Sequence, residues 1–146
     1  MSVLHLCDEE EPALVHPQTT AADAIQLMLA RRVGAVGVVD SAGVVAGIFT
    51  ERDVLRKLAL SGRDPAHTPV SELMTAPVVL ATIETTPGEA LAVMVDRHFR
   101  HLPVVNDAGR LIAMLSIRNL LQWRIDELTD RLDSLELYMT NDAVGG

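Results

Sequence analysis

Shifted by 66 residues, the chain aligns with itself. Pro12 to Leu55 matches Val78 to Leu121 without a gap, with 12 of 44 positions identical and most of the others exchanging one apolar residue for another. Thr19 and Thr20 fall on Thr85 and Thr86, Met28 on Met94, Arg31 on Arg97, Val38 and Val39 on Val104 and Val105, Gly43 on Gly109, and Arg52 on Arg118. Such self-similarity means one supersecondary unit used twice, and it decides the architecture before any single element does.

Each unit reads as strand, helix, strand, strand, helix. The apolar runs "ALV" and "VVLA" predict short strands. "TTAADAIQLMLARR" and "TTPGEALAVMVDRH" then predict amphipathic helices with a Thr at the start. Two apolar runs follow in each unit, joined by Asp40 to Gly43 or Asn106 to Gly109, so that a Gly stands where a hairpin favours positive φ. The last helix opens at "TERD" or "SIRN". Neither unit can cover its own sheet, so the expected fold is α+β, two β-α-β-β-α repeats sharing one body.

The expected organisation is a first repeat over residues 1–61, carrying the N-terminal segment, a connector over 62–70, a second repeat over 71–124 and a helical extension over 125–146. Gly and two Pro mark the connector, and "VSELM" after it predicts a helical turn. In the extension, Leu121, Ile125, Leu128, Leu132, Leu135 and Met139 are spaced 4, 3, 4, 3, 4. Such a stripe is either a coiled-coil seam or a face docked on its own domain.

Charge and composition narrow the function. Net charge −8 and four aromatic residues in 146 argue against a nucleic-acid partner. Cys7 is the single cysteine, which points to a reducing compartment, and the acidic "CDEEEP" start is unlike a secretory signal. The apolar runs are strand-sized, too short to span a membrane. A cytoplasmic location is expected.

These motifs resemble the CBS domain, the small unit named after cystathionine β-synthase, and two in tandem resemble a Bateman module. The resemblance runs from about Cys7 to Arg124 through "MTAPVV", "EALAVM", "RHLPVV" and the small–apolar–apolar–Thr/Ser–x–x–Asp junction of "GIFTERD". It implies two units packed about a pseudo-twofold axis, with two clefts between them that often hold AMP, ADP or ATP. It also implies a regulatory, signalling role without catalysis, and pairing into a flat homodimer. No cofactor is required, and the output protein is not legible.

The two clefts are expected to be unequal. In proteins of the resembled family the Asp of one unit typically works with the base slot and basic pair of the other, which implies that one cleft combines Thr50, Arg52 and Asp53 with the backbone at Val78 and Val79 and with the basic pair Arg100 and His101. Arg118 is placed to reach phosphate. Asp53 would accept from the ribose hydroxyls, as acidic residues do in dinucleotide sites, and the helix start would offer donors to phosphate. The other cleft has Ser116 and Asn119, the strand at Ala13 and Leu14, and Gly34 and Ala35 where the first has Arg100 and His101. It lacks both carboxylate and basic pair, so one competent cleft per chain is expected. A plainer account of Thr50 and Asp53 is a helix cap, which is compatible with ligand binding. Basic residues at a helix end also complement the dipole, which accounts for Arg31, Arg32, Arg97 and His98 but not for Arg100 and His101.

Other classes fit less well. His98 and His101 are three apart, but no third metal ligand is evident. No Walker-type loop or nucleophile elbow occurs, so an enzyme is not expected. The main rival is a ligand-free scaffold that dimerises or docks a partner.

Overall fold

Two three-stranded sheets carry the repeat in the computed structural model of the chain, which describes residues 1–145, with side chains described through Thr140. In the first, β1 (Leu14–Val15) runs parallel to β2 (Ala35–Val39), which pairs antiparallel with β3 (Val45–Thr50). The second repeats this with β4 (Ala81–Thr82), β5 (His101–Val105) and β6 (Leu111–Ser116). Even the irregularities recur, with register shifts at Val38/Val39 and Val104/Val105. β4 is shorter than the apolar run "VVLA" predicts, and Val78 and Val79 precede it as unpaired backbone.

The crossover helices α1 (Ala21–Arg31) and α3 (Pro87–Arg97) start as their sequences require. Thr20 caps α1 by accepting from the Asp23 amide at 3.2 Å. Thr86 and Glu89 form a reciprocal capping box at α3. Each helix ends on a left-handed residue that is not glycine, Arg32 at φ 54° and His98 at φ 58°. The hairpins close through the side-chain oxygens of Asp40 and Asn106, each accepting from two turn amides, with Gly43 and Gly109 at φ 83° and 78°.

The sheets meet through reciprocal hydrogen bonds that demonstrate the pseudo-twofold relation. The Val45 amide donates to the Gly109 carbonyl at 3.3 Å, and the Leu111 amide, its repeat mate, donates to the Gly43 carbonyl at 3.1 Å. Two apolar cores result, one around Met28, Val36, Phe49 and Leu58, the other around Met94, Leu102, Leu115 and Leu120.

Each core is completed by a segment that chain order would assign to the other unit. Val3, at the start of the 3-10 turn Val3–Leu6, is buried in the second core, and its amide donates to the Thr85 carbonyl at 3.1 Å. Val70 and Leu73, in and beside the turn Val70–Glu72, are buried in the first core, where the Val70 amide donates to the Thr19 carbonyl at 2.8 Å. Val3, grouped by sequence with the first repeat, therefore finishes the second core, and Leu73, grouped with the second, finishes the first together with Val70 of the connector. The exchange ties the halves together, since either alone would leave buried valine and leucine positions uncovered.

The second helix of each unit differs. In the first it is α2 (Glu51–Asp53), which continues as a single π-helical turn, Val54–Leu58. In the second, α4 runs from Ile117 to Gly145. Its apolar stripe does not dock on the body: Leu121, Ile125, Leu128, Leu132, Leu135 and Met139 are 44–63% exposed.

Candidate functional site

The junction of β3 and α2 is first of all a helix cap. The Asp53 amide donates to Thr50 Oγ1 at 3.2 Å, while Asp53 Oδ2 accepts from the Thr50 amide at 3.0 Å and lies 3.2 Å from the same hydroxyl. A neutral side chain could do this much. Asp53, only 4% exposed, carries a charge as well. Its second oxygen accepts from Thr75 Oγ1 at 2.8 Å and pairs with Lys57 Nζ at 3.1 Å. Both carboxylate oxygens are engaged, as a buried anion demands.

Long-range packing brings those two partners in. Thr75 pairs with Ile48 at the edge of β3 through reciprocal backbone bonds of 3.0 and 2.8 Å. The approach is possible because residue 47 is glycine: a Cβ there would stand 2.9 Å from the Thr75 carbonyl oxygen and 2.7 Å from Met74 Sδ. Lys57, on the π-helical turn, also donates to the carbonyls of Leu73 and Met74 at 3.1 and 3.2 Å, fastening the segment that leads to Thr75 beside Asp53. π-turns of this kind recur at functional sites.

At the other junction the same cap is built from neutral groups. Asn119 Oδ1 accepts from the Ser116 amide at 3.0 Å and from Ser116 Oγ at 2.7 Å, and the Asn119 amide donates back at 3.1 Å. Trp123 stands at the repeat position of Lys57. The N-terminal segment brings acidic Asp8 and Glu9 in the stretch corresponding to Thr75.

A cavity of about 530 Å³ opens beside Asp53. Ile48, Val78, Val79, Phe99 and Pro103 line its apolar part; Thr50, Asp53 and Thr75 contribute oxygen atoms. Five cationic side chains border it, Arg52, Arg56, Lys57, Arg97 and Arg100, against the carboxylates of Glu51 and Asp53. In a chain of net charge −8 this is a local reversal of sign. Arg52 crosses between the units, donating to the His98 carbonyl at 2.8 Å and setting α2 against the end of α3.

His101 differs from expectation. Its ring is tucked against residue 34, where a Cβ would stand 3.2 Å from its Cε1. Burial, with the Arg100 charge adding to it, lowers its pKa from 6.5 to about 4. It is therefore a neutral donor and acceptor near pH 7, and Arg100 alone supplies the charge expected of the pair. The absence of a side chain at Gly34 makes room for the ring, so Gly34 lines this cavity as well.

Of the residues expected at the complete cleft, Thr50, Arg52, Asp53, Val78, Val79, Arg100 and His101 line one cavity. Arg118 does not; it is exposed on α4, at the repeat position of Arg52. Ala13, Leu14, Ser116 and Asn119 line neither this cavity nor a smaller one between Met28 and Val54. Sequence reasoning overlooked Lys57 and Thr75. Lys57 was recoverable from its place four residues after Asp53; no local signal marks Thr75. Among the described residues, no three His, Cys, Asp or Glu side chains are placed to hold a metal ion.

Comparison with known proteins identifies the family and the fold. The CBS domain model matches residues 8–60 and 70–126. An uncharacterized 17.7 kDa protein of Acidianus ambivalens is 38% identical over 113 residues, covering 77% of this chain and 67% of that protein. The mitochondrial CBS domain-containing protein CBSX3 of Arabidopsis thaliana is 37% identical over 124 residues, covering 82% of this chain and 60% of the relative. A third relative, CBSCBSPB2 of the same plant, is 42% identical over 103 residues, 70% of this chain, and the match spans only 19% of its length. Among solved structures, a putative signal-transduction protein with CBS domains from Burkholderia ambifaria superposes with a TM-score of 0.77 at 34% identity, covering 86% of this chain and 95% of its own. CBSX2 in complex with AMP shares the fold, with a TM-score of 0.72 at 24% identity over 86% of this chain and 96% of that one. The chain belongs to the CBS-domain family, as a tandem pair of CBS domains.

Proposed function

We propose that the chain is a regulatory module that binds an adenosine nucleotide in the cavity beside Asp53. The observation carrying this reading is the convergence of an apolar slot, a buried carboxylate and a ring of cations in one cleft, while the repeat-related junction keeps only the cap. The base fits between Ile48, Val78, Val79, Phe99 and Pro103, with backbone at Val78 and Val79 to read its edge. Asp53 and the hydroxyls of Thr50 and Thr75 meet the ribose. Arg100, with Arg52 and Arg97, faces the phosphates. That a protein of the same fold is solved with AMP makes AMP the first nucleotide to titrate.

Regulation follows if the nucleotide favours one arrangement of the molecule over another, and only to the extent of that difference in affinity. Arg52 and Lys57 each join the two units at the cavity wall, so occupancy acts on the unit interface directly. Pairing of two modules is supported by exposed apolar residues that recur with the repeat, Leu29 with Val95 and Leu55 with Leu121. No helix among the described residues is long and apolar enough to cross a membrane.

Calorimetric titration with AMP, ADP, ATP and a dinucleotide tests the reading. Binding of at least one is expected in the native chain, loss in Asp53→Ala, and little change in Asn119→Ala. Asp53→Asn keeps the cap as Asn119 does, so its weakened binding would report on the charge and not on folding. A native chain that dimerises but binds none of the four is a scaffold, and the proposal falls.

A further inference from the structure

The shared fold leaves the C-terminal helix unexplained. The family match ends at residue 126, whereas α4 continues to Gly145. Four of its six stripe residues, Leu128 to Met139, lie beyond that match, and all six stand in solvent, each 44–63% exposed. An exposed apolar stripe of this length is the mark of an interaction surface, and the chain's own domain does not cover it.

We propose that the occupant is a second copy of the chain, and that two α4 helices form a parallel, in-register coiled coil along Leu121 to Met139. The spacing assigns Ile125, Leu132 and Met139 to the first core position of the heptad and Leu121, Leu128 and Leu135 to the second. A β-branched residue at the first position with leucine at the second favours two parallel strands, a pairing met here at Ile125 and Leu128, while Leu132 and Met139 leave the direction to the flanking charges.

Charge decides the direction. Arg131 and Glu136 flank the seam five residues apart, so a parallel pair sets Arg131 of each chain beside Glu136 of the other, twice by symmetry. An antiparallel pair matching the same six apolar residues would set Leu121 against Met139, Ile125 against Leu135 and Leu128 against Leu132. It would also place Arg131 opposite Arg131. Within one chain Arg131 and Arg124 both lean on Glu127, at 2.9 and 3.0 Å, which holds both guanidinium groups along the flank of the seam.

The seam is under three heptads, short for helices pairing on their own. Each chain also carries a folded module at the root of the helix. Contact between the modules and contact between the tails then raise one another's effective concentration. A parallel coil puts both modules at the same end, as this requires. The inference does not depend on nucleotide binding.

Directed cross-linking tests it in the full chain with Cys7→Ser, adding Met139→Cys. A parallel coil brings the two introduced thiols face to face, and mild oxidation is expected to give a covalent homodimer. An antiparallel coil separates them by roughly 27 Å, at 1.5 Å per residue. Efficient bonding only in a mixture of Leu121→Cys and Met139→Cys chains would therefore overturn the proposal, as would no covalent dimer in either arrangement. Sedimentation supplies a second measurement. Arg131→Glu is expected to weaken self-association roughly fivefold by loss of two exposed pairs, and Arg131→Glu with Glu136→Arg to restore it. A native chain that sediments as a monomer at tens of micromolar would overturn the proposal and leave the stripe to a different protein. The seam side chains lie in solvent, so these changes leave the body intact.

Discussion

The junctions at Thr50–Asp53 and Ser116–Asn119 make the same cap with different charges. Every backbone and hydroxyl bond of one has its counterpart in the other, to within about half an ångström. Asn119 shows that a neutral amide oxygen is enough to start the helix. The charge on Asp53 therefore adds nothing the cap needs, and burying it requires Lys57 and Thr75. A charge maintained against that demand, beside a cavity ringed by cations, is the observation on which the proposed ligand site rests.

The comparison can be broken in several ways. The largest effect is expected from Asp53→Ala, which removes a cap acceptor and strands Lys57 and Thr75. Chemical denaturation should show a loss of about 3 kcal/mol, combining a cap with charge-assisted bonds to a half-exposed lysine. A loss no larger than that of Asn119→Ala would mean that the charge is idle.

The next effect lies in the second unit alone, at His101, whose repeat mate is Ala35. Its pKa is about 4 folded against 6.5 unfolded. The unfolded chain therefore takes up the proton first as pH falls. Stability contributed by the neutral ring is complete above pH 6.5, drains between 6.5 and 4, and is gone below. The drop amounts to as much as about 3 kcal/mol, less where water reaches the ring. His101→Gln should flatten that part of the pH–stability curve; an unchanged slope would place the acid sensitivity elsewhere.

Asn119→Ala should cost about 1 kcal/mol, the ordinary worth of a cap, with nucleotide affinity retained. The smallest effect is expected from Arg118→Ala, which should leave nucleotide affinity within about twofold, since each 1.4 kcal/mol is tenfold and Arg118 lines no part of the cavity. Arg100→Ala, measured beside it, should weaken binding clearly. Equal losses from both would undo the assignment of cationic roles.

Much of this was legible in the chain because the signals are local. A 66-residue self-match, Thr at two helix starts and Gly at two hairpin turns are written in residues a few positions apart. The asymmetry of Asp53 with Asn119 and of Arg100 with Gly34 also follows from alignment of the halves. His101 was misjudged as a cation because its protonation depends on burial against Gly34, a contact 67 residues away that no spacing reveals. Arg118 was expected at the cavity because its repeat mate is there, yet the mate's surroundings come from the other unit.

By itself, then, the sequence determined the duplicated unit, its order of elements, its turns and caps, and which half keeps a carboxylate. Those features rest on backbone conformation and short-range hydrogen bonds, whose partners are neighbours in the chain. Tertiary structure decided that Val3 completes the second core and Val70 the first, that Thr75 and Lys57 hold Asp53, that His101 is neutral, and that the stripe of α4 faces solvent. Each of those outcomes depends on which distant surfaces exclude water from one another, and burial is a property of the assembled molecule.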